Sequence, residues 1–181
     1  MMRSRRNPKP LDPEALEELA LRYVARFATT RAKLEAYLAR KLRERGWAGE
    51  GDPQTAALAG RMVDAGYIDD AAYARAKTDG LLRRGYGIRR VGQALAAAGV
   101  EQALRAQDAP SESDQRKAAF ALARKRGFGP FGRSPPDRAV REKQIAAMLR
   151  AGHVMEHILQ LIDAPDLNAA EAWAGEGREN D

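Results

Sequence analysis

The chain has 181 residues, a formal net charge of +6 and only 6% aromatic side chains. Because it contains no cysteine, disulfides, thiolate metal sites and a cysteine nucleophile are excluded. No apolar run approaches the roughly 18 residues that a membrane span requires, so the sequence predicts a cytoplasmic protein without a membrane segment.

The charge is distributed unevenly along the chain. The segment 163–181 carries six acidic residues and one arginine, a net charge of −5, so the remainder carries +11. We interpret 163–181 as an acidic tail and 1–11 as a disordered basic arm. A basic body predicts a polyanionic partner or an acidic protein surface, although an arginine-rich composition alone would give the same balance. A further hypothesis is that the acidic tail lies over the basic body and tunes its affinity.

Apolar residues at helical spacing, bounded by cap residues and glycines, predict an all-α fold with nine main helices. The expected helices cover about residues 12–27, 30–46, 52–66, 69–84, 88–99, 100–107, 113–126, 137–152 and 154–162. A Gly- and Pro-rich segment at 127–136 must be a loop. With few aromatic rings and many alanines, the core is expected to depend on close helix packing.

A repeat relates these helices. Gly46, Gly99 and Gly152 each follow a predicted middle helix, and consecutive glycines are 53 positions apart. The spacing predicts an elongated tandem array of three three-helix modules, at 12–66, 67–107 and 108–162.

The segment Gly66–Arg75 predicts a corner between two helices. Gly66 ends one helix, Tyr67 and Ile68 are expected to be buried anchors, and Asp69 or Asp70 caps the next helix. The adjacent carboxylates could suggest acid–base chemistry, but neighbours on a helix point about 100° apart, and capping explains them better.

Two further motifs contain residue types that occur in cofactor-binding or catalytic sites. Gly85-Tyr86-Gly87 lacks a preceding strand and a third glycine, so it predicts a break between helices and no dinucleotide site. His153–His157 matches the H-x-x-E-H pattern of inverted zinc proteases. Gly152 should end the preceding helix and leave His153 outside the next one, so we expect His153 to fill a boundary position, with no metal and no cofactor.

Basic clusters are the candidate binding residues. They lie at the end of the second helix, on both sides of the Gly85–Gly87 break, and before the 127–136 loop: Arg40, Lys41, Arg43, Arg45, Arg83, Arg84, Arg89, Arg90, Arg124, Lys125 and Arg126. Arginine binds phosphates and carboxylates alike, and a charged helix face is also typical of a solvated surface. No predicted helix has the polar recognition face expected for reading bases.

Two segments of the chain match a family pattern. Gly66-Tyr67-Ile68-Asp69-Asp70-Ala71-Ala72-Tyr73-Ala74 and Gly85-Tyr86-Gly87-Ile88-Arg89-Arg90-Val91, followed by Leu95 and Gly99, resemble the signature of the RecX family, regulators of the RecA recombinase. The resemblance covers about residues 16–162. It weakens in the third module, where Arg150-Ala151-Gly152-His153 stands in place of a basic pair and Gly-Phe.

The resemblance implies a monomeric, non-enzymatic protein that lies in the groove of a RecA–single-stranded DNA filament. Such proteins restrain RecA ATP hydrolysis, strand exchange and the co-protease activity of the SOS response. Two alternatives remain open at this point. One is a general helical DNA-binding protein that acts without RecA, and the other is a zinc hydrolase built on the two histidines.

Overall fold

The computed structural model describes residues 9–176, and this part of the chain is helical. Its elements are α1 (Pro13–Arg26), α2 (Arg31–Arg45), α3 (Thr55–Asp64), α4 (Asp70–Arg83), α5 (Ile88–Ala97), α6 (Gln102–Gln107), α7 (Glu112–Arg126), a 3₁₀ turn (Gly129–Phe131), α8 (Arg138–Ala151), α9 (Met155–Ile162) and α10 (Leu167–Gly175). The all-α prediction is confirmed. None of the helices within 9–176 combines the length and apolar character needed to cross a bilayer.

The prediction of nine helices is wrong, because a tenth helix lies in the segment interpreted as an acidic tail. Asp166 caps α10 by accepting a hydrogen bond of 2.8 Å from the backbone N–H of Ala169. Ala170 and Ala174 are buried, and α10 packs against α7. The negative charge of the segment obscured this short apolar face, whose residues recur at helical spacing.

The chain divides into two compact units, Met1–Tyr73 with Ala98–Val100 and Ala74–Ala97 with Glu101–Asp181. The grouping into three modules and their array stays a prediction. In the first unit, α1, α2 and α3 pack around a core that includes Leu16, Leu34, Leu38, Leu58 and Met62.

The first unit also contains the segment 98–100, which is held against the start of α2. The Thr30 hydroxyl donates to the carbonyl of Ala98 at 2.6 Å and accepts from the N–H of Lys33 at 3.2 Å. A Cβ at Gly99 would lie 2.2 Å from the Cβ of Ala32, and Gly99 has a φ of +74°. This close approach explains why the signature position is a glycine.

The structure corrects the extent of the basic arm. Residues 1–8 lie outside the described part, but Leu11 is fully buried in the core of the first unit. Its N–H donates to the carbonyl of Gly46 at 3.0 Å, and its carbonyl accepts from Ala48 at 2.8 Å. The basic residues around Leu11 concealed an apolar anchor that joins the chain before α1 to the end of α2.

The second unit has a core of small and aliphatic side chains from α7, α8, α9 and α10. Its buried residues include Ala119, Ala123, Met148, Ile158, Leu161 and Ala170. Phe128 and Phe131, from the predicted 127–136 loop, pack against this core. Alanine-rich faces allow the helices to approach closely, as the composition led us to expect.

Candidate functional site

We call the corner at Gly66–Arg75 the signature corner. It consists of the end of α3 followed by the buried residue Ile68. Gly66, with a φ of +75°, donates to the carbonyl of Val63 at 2.8 Å, and Tyr67 donates to the carbonyl of Met62 at 2.9 Å. These bonds close α3 in a Schellman-type motif. Ile68 is 3% exposed, as predicted, but Tyr67 is 58% exposed, so its expected burial is wrong. Ile68 belongs to the core of the first unit, whereas the Tyr67 side chain lies on the surface.

Asp69 and Asp70 have separate structural roles. The Asp69 side chain accepts from the N–H of Ala72 at 2.8 Å and therefore caps α4, as the sequence indicated. The Asp70 side chain accepts from the N–H of Arg31 at 3.0 Å, at the first residue of α2. Tyr73 accepts a hydrogen bond from Lys33, whose Nζ lies 4.7 Å from the centroid of the Tyr73 ring. The signature residues thus fix the start of α4 against α2.

The turn between α4 and α5 is held by backbone contacts with the end of α8. Gly87 donates to the carbonyl of Ala151 at 2.9 Å, and Arg89 donates to that of Gly152 at 3.1 Å. A Cβ at Gly87 would lie 2.4 Å from the carbonyl of Gly152, so only glycine permits this approach. The predicted break is confirmed, and its second glycine has a packing role that the sequence did not reveal.

The side chain of His153 contacts the same turn through Gly85. His153 precedes α9, is 2% exposed, and its Nε2 lies 2.9 Å from the carbonyl oxygen of Gly85. Because a carbonyl can only accept, Nε2 carries the proton. Burial lowers the pKa of His153, while the hydrogen bond to Gly85 acts in the opposite direction. The ring is therefore a neutral donor at pH 7. His153 fills the boundary position between α8 and α9, as expected, and in addition makes a hydrogen bond there.

A basic cleft lies beside this turn, with a volume of about 460 Å³. We call it the α4–α5 cleft, and its lining is Lys77, Leu81, Arg84, Tyr86, Arg90, Gln93, Ala94 and Ala97. Within residues 9–176 this lining contains three cationic side chains and no carboxylate. Arg84 is oriented by a 2.9 Å hydrogen bond from its Nε to the carbonyl of Gly80, and its guanidinium carbon lies 5.8 Å from the centre of the Tyr86 ring.

The α4–α5 cleft has the chemistry of a polyanion site. Two guanidinium groups can each donate paired hydrogen bonds to a phosphate or carboxylate, and Lys77 adds a point charge. Leu81 contributes an apolar side chain to the lining, and Tyr86 contributes an aromatic ring. The cationic groups match the donors that phosphates and carboxylates require.

The remaining predicted basic residues are not gathered in this cleft. Arg83 and Arg89 are exposed on the flanking helix ends, and Arg124, Lys125 and Arg126 are exposed in the last turn of α7. On α2, Glu44 lies 2.6 Å from Lys41 and 3.7 Å from Arg40. The hydrogen bond from Lys41 lowers the pKa of Glu44, and this carboxylate offsets part of the cluster's charge.

The other two predicted basic residues of α2, Arg43 and Arg45, differ in their contacts. Arg45 donates from Nε to the carbonyl of Lys9 at 2.9 Å, which ties it to the chain before α1. Arg43 is exposed. Of the basic residues in the three predicted clusters, only Arg84 and Arg90 therefore share one concave surface.

Sequence reasoning missed Lys77, Tyr86 and Gln93 as members of the cleft. The signal was present in the spacing, because Lys77, Leu81 and Arg84 recur at i, i+4 and i+7 on one face of α4. Arg90, Gln93, Ala94 and Ala97 follow the matching pattern on α5.

The two histidines of the H-x-x-E-H pattern have separate hydrogen-bonding partners in the described structure. His153 lies before α9 and His157 within it, and their Nε2 atoms contact Gly85 and Glu112 respectively. The His157 Nε2 lies 2.8 Å from Oε1 of Glu112, and the hydrogen bond lowers the pKa of that carboxyl. Within residues 9–176, no cluster of three potential ligands is present.

Together, the helical fold, the signature corner and the α4–α5 cleft define an all-helical protein with a concave basic surface. The chain is 32% identical over 171 residues to the protein called Regulatory protein RecX of Myxococcus xanthus, covering 90% of this chain and 91% of the relative. It is 34% identical over 131 residues to the one of Agrobacterium fabrum, covering 70% of each. The chain belongs to the RecX family.

A solved structure agrees with the fold. The crystal structure of RecX from Lactobacillus salivarius matches with a TM-score of 0.65 at 19% identity, covering 83% of this chain and 94% of that one. At this identity the match supports the fold alone. No family model matches the sequence.

Proposed function

We propose that this protein binds the RecA–single-stranded DNA filament and restrains its ATPase, strand-exchange and co-protease activities, without catalysis of its own. The proposal rests on membership of a family of regulatory proteins and on the α4–α5 cleft. The single observation that carries it is the convergence of Lys77, Arg84 and Arg90 beside a turn made by signature residues.

In the proposed mechanism, a cytoplasmic monomer lies along the filament groove and contacts successive RecA protomers. The α4–α5 cleft receives acidic side chains or DNA phosphates, and the exposed basic residues at the ends of α2 and α7 add dispersed contacts. By bridging protomers, the protein opposes the nucleotide-dependent changes of filament geometry that RecA activity requires. Binding far below one molecule per RecA monomer is sufficient if each bound molecule blocks growth of a filament.

RecA ATP hydrolysis on single-stranded DNA tests this proposal. We expect the rate to decline over time when this protein is present well below one molecule per RecA monomer. Simple competition for DNA would instead require nearly stoichiometric protein. The proposal fails if hydrolysis stays unchanged at every ratio while the protein is folded, and salt-sensitive binding to bare DNA would then favour a general DNA-binding protein.

A further inference from the structure

A second surface, in the first unit, combines aromatic rings with cations. It forms a cleft of about 480 Å³ lined by Leu19, Arg22, Tyr23, Arg26, Phe27, Tyr37 and Arg40. We call it the α1–α2 aromatic surface. Of the eleven aromatic residues in the chain, three line this cleft.

The rings of Tyr23, Phe27 and Tyr37 pack together, and we call this group of three rings the platform. The ring of Phe27 is its exposed member. Tyr23 stacks on Tyr37 with ring centroids 4.3 Å apart and an interplanar angle of 20°. Phe27 lies 5.3 Å from Tyr23 at 51°. Tyr23 and Tyr37 pack partly against the core of the first unit, whereas Phe27 is 51% exposed. Burial in the core therefore does not account for an aromatic residue at position 27.

Cations border the platform. The guanidinium carbon of Arg26 lies 5.7 Å from the Phe27 centroid, and that of Arg40 lies 5.6 Å from the Tyr37 centroid. Arg22 pairs with Glu18, one turn away, on the exposed surface. Exposed ion pairs of this kind contribute little to stability, so a phosphate can replace the carboxylate of Glu18 at little cost.

We propose that the α1–α2 aromatic surface is a base-stacking site for single-stranded nucleic acid. Unpaired bases stack on aromatic side chains with little dependence on sequence, while neighbouring arginines contact the backbone phosphates. An acidic peptide would use the arginines but would leave the open ring of Phe27 without a matching flat partner. The inference stands apart from the proposed function, because it concerns nucleic acid in the absence of RecA.

The test compares a fluorescein-labelled oligothymidylate of about twenty nucleotides with an abasic oligomer of the same length. The abasic oligomer keeps the phosphates and removes the bases. By fluorescence anisotropy, we expect the wild-type protein to bind the oligothymidylate more tightly. Phe27→Leu keeps an apolar side chain without a ring and should weaken oligothymidylate binding by about fivefold or more. It should leave abasic binding unchanged.

Tyr67→Leu is the matched control, because Tyr67 is an exposed aromatic residue of the same unit that does not line this surface. It should bind both oligomers like the wild type. Equal wild-type affinity for the two oligomers, or wild-type oligothymidylate binding by Phe27→Leu, would overturn the proposal. The proposal would also be overturned if polyglutamate displaced the labelled oligothymidylate as effectively as unlabelled oligothymidylate does. Because no RecA is present, these outcomes leave the proposed function standing.

Discussion

Replacing Gly87 by alanine should strongly destabilise the second unit. The new Cβ would lie 2.4 Å from the carbonyl carbon and oxygen of Gly152 and 2.4 Å from the N of His153. These are backbone atoms, so no side-chain rotation relieves the overlap. Overpacking costs typically about 1–3 kcal/mol. Separating the segments would also weaken the hydrogen bonds from Gly87 and Arg89 to the end of α8, each contributing about 1 kcal/mol.

We therefore expect Gly87→Ala to lower the free energy of unfolding by about 3 kcal/mol. With a denaturant slope of about 2 kcal/mol per molar, the urea midpoint falls by about 1.5 M. The assay is urea unfolding followed by tryptophan fluorescence in a Trp47→Phe background, in which Trp173 of the second unit is the remaining tryptophan.

Gly92→Ala is the matched control for Gly87→Ala. Gly92 lies inside α5, and a Cβ there would meet nothing within 4 Å. Alanine in a helix interior should raise the free energy of unfolding by about 0.5–1 kcal/mol. The reasoning is refuted if Gly87→Ala unfolds within about 0.3 M urea of the parent.

Two further predictions concern the signature corner and the turn beside the cleft. Asp69→Ala removes the cap of α4 and should lower the free energy of unfolding by about 1 kcal/mol, measured by thermal denaturation; an unchanged melting temperature would contradict the capping role. His153 has a lowered pKa in the folded protein, so the unfolded state binds more protons and stability is lost as the pH falls through the unfolded value of about 6.5. Between pH 7.5 and 5, urea unfolding of the wild type should therefore lose up to about 2 kcal/mol more than that of His153→Gln, whose amide can still donate to Gly85. Equal losses in the two proteins would show that His153 does not stay neutral.

Local features of the chain were predictable from the sequence because their causes are local. Asp69 caps the helix that begins immediately after it, and Gly85 ends a helix at the point where the apolar spacing stops. Gly66 ends α3 by a bond to Val63, only three residues away. Such signals arise within one helical turn, and a single sequence contains them in full.

The features that escaped prediction depend on contacts between distant parts of the chain. The bond from His153 to Gly85 spans 68 positions, and that from Arg31 to Asp70 spans 39. Asp70 carried the same local pattern as Asp69, so nothing in the sequence distinguished a cap of α4 from a contact with α2. Tyr67 was expected to be buried because aromatic residues usually are, but the side on which it lies depends on the backbone direction after α3.

The candidate site was predictable in part. Arg84 and Arg90 were predicted because they lie close to the turn in the sequence, but the same criterion included Arg83 and Arg89, which do not line the cleft. Residues three, four and seven positions apart share one face of a helix. This spacing would have distinguished Arg84 and Arg90 from Arg83 and Arg89, and it would have added Lys77 to the predicted site.

The measurement that tests the central claim most directly is RecA ATP hydrolysis in the presence of a protein whose α4–α5 cleft has been neutralised. In Arg84→Gln/Arg90→Gln the two guanidinium groups are removed, and we expect about tenfold more protein to be needed for the same decline in rate. The control Arg138→Gln/Lys143→Gln removes the same charge from exposed positions on α8 outside the cleft and should act like the wild type. If both variants restrain RecA as well as the wild type does, the α4–α5 cleft is not the surface that binds the filament.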